Sequence, residues 1–506
     1  MLARLLSLPL FVSLMGLSAC AMFIPALYGY FADEDHASRV FFYGGVLFLF
    51  LTTILGIATS ANMDKNVIRS HLLALLGAFT VLPVMLAVPT YEAIGNTTFI
   101  NAYFEMVSSI TTTGATLFDE PERLSQTVHM WRATVGWMGG LLMWVAAIAI
   151  FAPLNIGGFE ITARRRISAT SAHHVYAENT ITPGQRVLMH FSRLLPIYVG
   201  LTFVLWICLI LAGSTPFEAL CHAMSTISTS GISPVGGIQN AGGGIFAELL
   251  IFIFLFFAIS RLTFAPETQS DSLERLGRDP EFRMGLICAI GLPCLLFLRH
   301  WVGAIEVNEV ENVSAAIRVL WGSAFTVLSF LTTTGFLSDH WAEARSWSGL
   351  QTPGLILMGV ALIGGGVATT AGGVKLLRVF ALYKHGMREI EKVIHPSSVG
   401  GAGEAARHLR GKGAQMAWVF FMLFAISICV VAVALSLTGL NFEDSLVMTI
   451  SSLSTTGPLA EAVSNGEVLY SGLSTSSKFI VAAAMVLGRL ETLAIIALLN
   501  PGFWRS

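Results

Sequence analysis

Four runs of hydroxyl residues closed by glycine carry the most concentrated chemistry in this sequence. They are Ser109-Ile110-Thr111-Thr112-Thr113-Gly114, Thr226-Ile227-Ser228-Thr229-Ser230-Gly231, Phe330-Leu331-Thr332-Thr333-Thr334-Gly335 and Ser452-Leu453-Ser454-Thr455-Thr456-Gly457. Threonine and serine offer hydroxyl oxygens, and glycine removes a side chain and permits unusual dihedrals. A single run of this kind would read equally well as a turn or a helix-packing surface. Four copies in one register imply four walls around one axis, a ring able to surround a dehydrated cation.

The segments that must position these loops are apolar. The 506 residues are 54% hydrophobic and 12% charged, whereas a soluble domain carries about 25% charged residues. Ten runs are long enough to span a bilayer, which takes about 20 residues. They lie near 5–29, 40–60, 70–90, 131–153, 190–213, 245–265, 283–302, 351–374, 415–438 and 477–499. Four shorter segments, near 98–111, 215–228, 315–332 and 441–454, each end at a hydroxyl-glycine loop and read as re-entrant half-helices. The predicted fold is therefore an all-α integral membrane protein. It has ten transmembrane helices and four pore half-helices, arranged as four pseudo-symmetric M1–pore–M2 repeats around one ion pore. The predicted units are an N-terminal helix pair over 1–66, repeat 1 over 67–186, repeat 2 over 187–280, repeat 3 over 281–414 and repeat 4 over 415–506. Leu17-Ser18-Ala19-Cys20 resembles a lipoprotein cleavage site, but the apolar run continues through Leu27, which favours an uncleaved span.

With the N-terminus inside, the inner segments collect most of the 29 basic residues, including Arg164-Arg165-Arg166 and those between Lys375 and Lys412. This asymmetry predicts cytoplasmic termini and glycine loops reached from outside. Outer segments carry Asp33, Glu34, Asp35, Asp119, Glu120, Glu122, Glu306, Glu309 and Glu311. Acidic charge at a pore mouth raises local cation concentration, although exposed loops also carry acids simply for solvation. The net charge of −2 gives no basic surface for nucleic acid. The six cysteines sit in or beside apolar runs and form neither a disulfide framework nor a zinc pattern.

Backbone carbonyls in hydrocarbon must be hydrogen-bonded or face water or an ion. A half-helix followed by extended Thr-Thr-Gly meets that rule if the carbonyls face a central ion. Carbonyl rings that replace a hydration shell are the route to potassium selectivity. The half-helix C-termini direct partial negative charge at the cavity below. On these loops the chain resembles the Trk/Ktr/HKT superfamily of potassium transporters along essentially its whole length. The extra N-terminal pair resembles the TrkH/TrkG branch. The resemblance implies K+ at carbonyls around Gly114, Gly231, Gly335 and Gly457, with Thr112, Thr113, Thr229, Ser230, Thr333, Thr334, Thr455 and Thr456 lining the same filter. Glycine at all four positions implies potassium rather than sodium, although the unequal loops make the fourfold symmetry approximate.

The eighth span is interrupted by Gly364-Gly365-Gly366-Val367-Ala368-Thr369-Thr370-Ala371-Gly372-Gly373-Val374-Lys375. Each interior glycine costs a helix nearly ~1 kcal/mol against alanine. A phosphate-binding loop is excluded, because Val374 separates Gly373 from Lys375 and Leu376 stands where Ser or Thr is needed. Irregular backbone at membrane depth must line a cavity or be buried in protein. Arg489 lies mid-span in the last apolar run, where a charge costs about 2.5–3.5 kcal/mol and requires acceptors. Carbonyls freed by the glycine-rich loop are candidate partners, and a structural ion pair with an acid is the alternative. The resemblance implies that this loop is an intramembrane gate and that the arginine holds its closed state. Lys375 also reads as a snorkelling interface residue.

The family further implies a homodimer in the bacterial inner membrane. It also implies a cytosolic TrkA-like regulator with nucleotide-binding RCK domains. No inner loop of this chain is large enough to bind a nucleotide, and no cofactor is expected beyond the transported ion. A sodium- or proton-coupled secondary transporter of another small cation or solute would call for inverted repeats and intramembrane acids. The repeats here run parallel and acids are scarce in the spans. An enzyme is disfavoured too, since His173-His174 has no accompanying ligand or nucleophile set.

Overall fold

The computed structural model describes residues 9–59, 67–154, 158–159, 183–260, 277, 279–307, 313–347, 354–395, 412–464 and 468–490. The described residues contain helices and turns and no strand. Arg164-Arg165-Arg166, His173-His174, the start of the first predicted span and the end of the last lie outside them.

In chain order the helices are α1 Leu10–Ala21, α2 Phe23–Phe31, α3 Asp35–Thr59, α4 Val67–Thr80, α5 Leu82–Ile94, α6 Phe99–Ile110, α7 Gln126–Ala146, α8 Pro183–Leu211, α9 Pro216–Ser228 and α10 Gly244–Leu255. They continue as α11 Pro280–Val307, α12 Val313–Leu331, α13 Trp341–Trp347, α14 Gly354–Ile363, α15 Leu376–Ile394, α16 Lys412–Ser436, α17 Phe442–Leu453, α18 Leu459–Ser464 and α19 Thr475–Leu490. Among the described residues, seven segments are long and apolar enough to cross a membrane. These are α1–α2, α3, α4–α5, α7 with its short extension to Leu154, α8, α11 and α16. This is an all-α, multi-pass membrane protein.

Two of the other three predicted spans are shorter in the structure, and the end of the third lies outside the described residues. The 245–265 segment is helical only over Gly244–Ala258. The 351–374 segment is helical over ten residues, Gly354–Ile363, before the glycine run ends it. The last span is described as Thr475–Leu490. The four half-helices fall where the apolar-to-hydroxyl switch placed them, as α6, α9, α12 and α17. The third, Val313–Leu331, has 19 residues and lies within two residues of its expected bounds.

Packing follows a bilayer pattern. α16, with the highest mean hydropathy of the spans at 2.8, is only 22% buried, and Ile426, Val430 and Val433 point outward from it. The centre instead buries hydroxyls. Thr111, Thr112, Thr113, Thr332, Thr334, Ser454, Thr455 and Thr456 are all fully buried, the reverse of a soluble core. Apolar side chains of the half-helices, such as Phe104, Phe325, Phe330 and Leu453, pack around them.

The N-terminal helices are fastened to this bundle through α7. Glu34, in the turn between α2 and α3, accepts from the backbone N–H of Gln126 (2.9 Å) and Thr127 (3.0 Å) at the α7 N-terminus. Tyr28 donates to Gln126 Oε1 at 2.7 Å. Partial burial pushes the Glu34 carboxyl up, but these bonds outweigh it and hold the group below its ordinary value. An acid that fills orphan N–H groups at a helix start is favoured by the helix dipole as well.

Candidate functional site

Each half-helix ends in the same way. The threonine two residues before the glycine takes a left-handed conformation, at φ 53° for Thr112, 52° for Thr229, 58° for Thr333 and 55° for Thr455. The next residue donates its N–H back five positions to a serine carbonyl. These pairs are Thr113 to Ser108 (2.8 Å), Ser230 to Ser225, Thr334 to Ser329 and Thr456 to Ser451 (each 2.9 Å). The threonine N–H reaches back three, to Ser109, Thr226, Phe330 and Ser452. This pair of bonds is the Schellman helix stop, which ordinarily uses glycine at the left-handed position. A β-branched residue there is a genuine outlier, costing about 1–3 kcal/mol, and such strain clusters at functional sites. Four identical outliers in one register are a repeated device. Its sequence signal, a serine six residues before every glycine, is plain in the chain but lies just outside each hydroxyl run.

The loops meet in cyclic order. A Cβ on Gly114 would overlap the Ser230 carbonyl oxygen, and one on Gly231 would overlap that of Thr334. One on Gly335 would sit 3.1 Å from the Pro458 ring, and one on Gly457 would overlap the Ala115 backbone nitrogen. The first loop thus leans on the second, the second on the third, the third on the fourth and the fourth on the first. Gly114, Gly231 and Gly335 have φ of 74°, 67° and 83°, whereas Gly457 is not left-handed. Pro458 follows Gly457, and a residue before proline is pushed to extended backbone. The fourth loop therefore breaks the pattern for a reason written in the sequence.

Buried carboxylates brace the chain just beyond two loops. Glu105 on α6 accepts from Leu117 N (2.6 Å) and Thr116 Oγ1 (2.9 Å), and pairs with Arg132 Nε at 2.9 Å. Glu248 on α10 accepts from Trp321 Nε1 (2.8 Å), Ser338 Oγ (2.8 Å) and Asp339 N (2.7 Å). Neither residue was singled out from sequence, although an acid inside an apolar segment is itself a signal. Removing one partner of a buried ion pair costs about 3–5 kcal/mol, because the other charge is stranded. Glu105→Gln is therefore expected to lower thermal stability in detergent markedly, and Arg132→Met in the same chain to restore part of it. An unchanged melting temperature for the single variant would remove Glu105 as a brace.

The chain between Gly364 and Lys375 is not helical and is almost wholly buried beneath the loops. Gly372 N donates to Thr333 Oγ1 at 2.7 Å, and Thr370 Oγ1 donates to the Ile227 carbonyl at 3.3 Å. A Cβ on Gly372 would overlap both Thr455 Oγ1 and the Ser454 carbonyl. Gly366 N donates to Ala258 O (3.0 Å) and Val367 N to Glu281 Oε1 (2.9 Å). Gly364 and Gly373, at φ 72° and 76°, lie against each other at the neck of the excursion. A Cβ on Gly365 would sit 2.7 Å from the Ala258 carbonyl oxygen.

Arg489 is 2% exposed, and its Nη1 donates to the Thr370 carbonyl at 2.7 Å. Its partner is thus a freed carbonyl of the glycine-rich run. Nε and Nη2 have no hydrogen-bond partner among the described residues. Lys375 is not a snorkelling residue. It is buried, and its Nζ donates to the Ala371 carbonyl within the same run. Two of the left-handed threonine hydroxyls, Thr112 Oγ1 and Thr455 Oγ1, are buried without a partner among the described residues. Thr229 Oγ1 is used by its own chain, on Ser228 O at 2.8 Å. Among the described residues no cluster of three or more His, Cys, Asp or Glu could hold a metal.

Residues 37–501 match the family model TrkH, described as a cation transport protein. The chain is similar to the Trk system potassium uptake protein TrkH of Salmonella typhimurium, 29% identical over 94% of each chain. It is likewise similar to TrkG of Escherichia coli, 29% identical over 81% of this chain and 80% of that one. Its fold superposes on the crystal structure of the potassium transporter TrkH from Vibrio parahaemolyticus with a TM-score of 0.80, at 26% identity over the full length of both.

Proposed function

Because the chain belongs to the TrkH family of cation transport proteins, a family of transporters and not of enzymes, we propose that it carries potassium across the bacterial inner membrane through a filter formed by the four hydroxyl-glycine loops. Names of the relatives support potassium as the ion. The observation that supports the filter is the four left-handed threonines in one register, on loops that touch in cyclic order. In an ordinary strand, successive carbonyls point to opposite sides. Left-handed residues at alternate positions, as at Thr112 and Gly114, turn successive carbonyls toward one side, where they can replace an ion's hydration shell.

The glycine-rich run is the gate. It lies under the loops, is tied to Thr333 by Gly372 and is held from the side by Arg489. Closing it therefore also occupies a threonine hydroxyl that would otherwise face the ion path. Opening frees Thr333, so gate and filter act together. A TrkA-like nucleotide-binding regulator on the cytosolic face would bias this equilibrium, with the membrane subunit working as a homodimer. α15, which begins where the gate ends and whose second half is exposed on all sides, carries the gate's position toward that face.

The test is cation flux into proteoliposomes holding the purified protein and its cognate regulator, with K+, Rb+ and Na+ compared. Potassium and rubidium flux well above sodium is expected. Gly114→Ser, whose Cβ meets the Ser230 carbonyl, should admit sodium. Absence of flux with the regulator present would overturn the channel-like reading.

A further inference from the structure

The fourth loop differs from the other three in what its glycine carbonyl does. No hydrogen bond reaches the carbonyls of Gly114, Gly231 or Gly335 among the described residues. In those loops the serine six positions earlier is engaged elsewhere. Ser108 Oγ donates to Ala115 O (2.6 Å), Ser225 Oγ accepts from Ser230 Oγ (3.1 Å), and Ser329 Oγ accepts from Phe336 N (2.7 Å). In the fourth loop, Ser451 Oγ reaches the carbonyls of Thr456 (2.9 Å) and Gly457 (3.2 Å). Tyr470, from a short turn outside the loop, donates to the same Gly457 carbonyl at 3.1 Å and lies 2.5 Å from Ser451 Oγ. Its ring is buried against Phe104 of the first half-helix, with centroids 6.0 Å apart. In the preceding peptide, Gly457 N donates to the Thr113 carbonyl at 2.6 Å.

We propose that Tyr470, acting with Ser451, is a specificity-determining positioning residue, which anchors the fourth loop's glycine carbonyl in the protein wall so that the ion ring at this level is lined by Gly114, Gly231 and Gly335. This rests on the filter reading above. Three free carbonyls form a stiff ring only if the fourth side stays back. Gly457 lacks the left-handed φ of its counterparts, and its backbone is set by Pro458 and by this hydroxyl pair. Released, the fourth loop can close inward around a smaller ion. The tyrosine therefore discriminates against sodium without touching the permeating ion, and it does so from a turn 13 residues beyond Gly457.

Tyr470→Phe removes one oxygen and keeps the ring on Phe104, so it tests the hydroxyl alone. The K+/Na+ flux ratio is expected to fall roughly five- to tenfold, the equivalent of one neutral hydrogen bond, while potassium flux persists. Ser451→Ala should lower the ratio in the same direction. The double variant should fall short of the product of the two, because both act on one carbonyl. A general packing defect would instead reduce all cation fluxes in parallel and leave the ratio alone. A normal ratio in folded Tyr470→Phe overturns the proposal. Should Tyr470→Phe fail to fold, a normal ratio in Ser451→Ala overturns it equally. Wild-type protein run alongside separates the two hypotheses, since loss of selective flux there would remove the filter reading itself.

Discussion

Arg489→Ala leaks. In proteoliposomes without an activating stimulus, its rubidium flux is expected to exceed wild type by roughly 10- to 150-fold, the equivalent of a charge-assisted hydrogen bond of about 1.5–3 kcal/mol. The bond in question joins Arg489 Nη1 to the Thr370 carbonyl at 2.7 Å. It is the only described side-chain contact from outside the glycine-rich run that fixes it to the last helix. The substitution need not harm the fold. A guanidinium at membrane depth costs about 2.5–3.5 kcal/mol to insert, and removing it relieves that penalty. Arg489→Lys, which keeps a charge but loses the planar fork, should fall between the two. Wild-type leak from a well-folded Arg489→Ala protein would mean that the arginine is structural only.

A second variant should match or exceed that effect without touching a charge. The Gly372 α-carbon faces the Thr455 hydroxyl and the Ser454 carbonyl so closely that no Cβ fits. The neighbours cannot yield cheaply. Ser454 and Thr455 belong to a helix stop fixed by its own backbone bonds, and Thr333 holds Gly372 from the third loop. Gly372→Ala must therefore displace the run from its seat, and a constitutive leak at least as large as that of Arg489→Ala is expected. Combining the two should add little, since both abolish one closed state. Gly359→Ala on α14 is the control, because a Cβ there meets nothing within 4 Å. Should Gly372→Ala conduct like wild type, the closed seat beneath the filter is not where the permeation path is blocked.

What could be read from sequence was whatever repeats or breaks a strong rule. The four loops announced themselves by recurrence, the membrane by composition, and the break in the eighth span by glycines no helix tolerates. Arg489 was found because a charge in an apolar run must have an acceptor, and Thr370 is that acceptor. Contacts between distant segments were not legible. Glu105 and Glu248 act through partners 11 to 91 positions away. The bond from Lys375 to the Ala371 carbonyl was not legible, because a sequence shows no fold-back within a loop. Pro458 was legible in principle. Its restriction on Gly457 is local chemistry, but it lies one residue beyond the hydroxyl-glycine run.

The cyclic contact of the glycines has a mechanical meaning. Each loop is both supported and supporter, like the stones of an arch closed into a hoop. No stone can move outward alone, because the gap it opens must be shared among three joints. Width at the centre is then a property of the hoop and not of any single loop. Three joints are glycine against backbone, and the fourth is glycine against the Pro458 ring, whose fixed φ makes it the least deformable. Substitutions that thicken one joint should be rescued by thinning its neighbour around the hoop, and not by thinning the joint opposite.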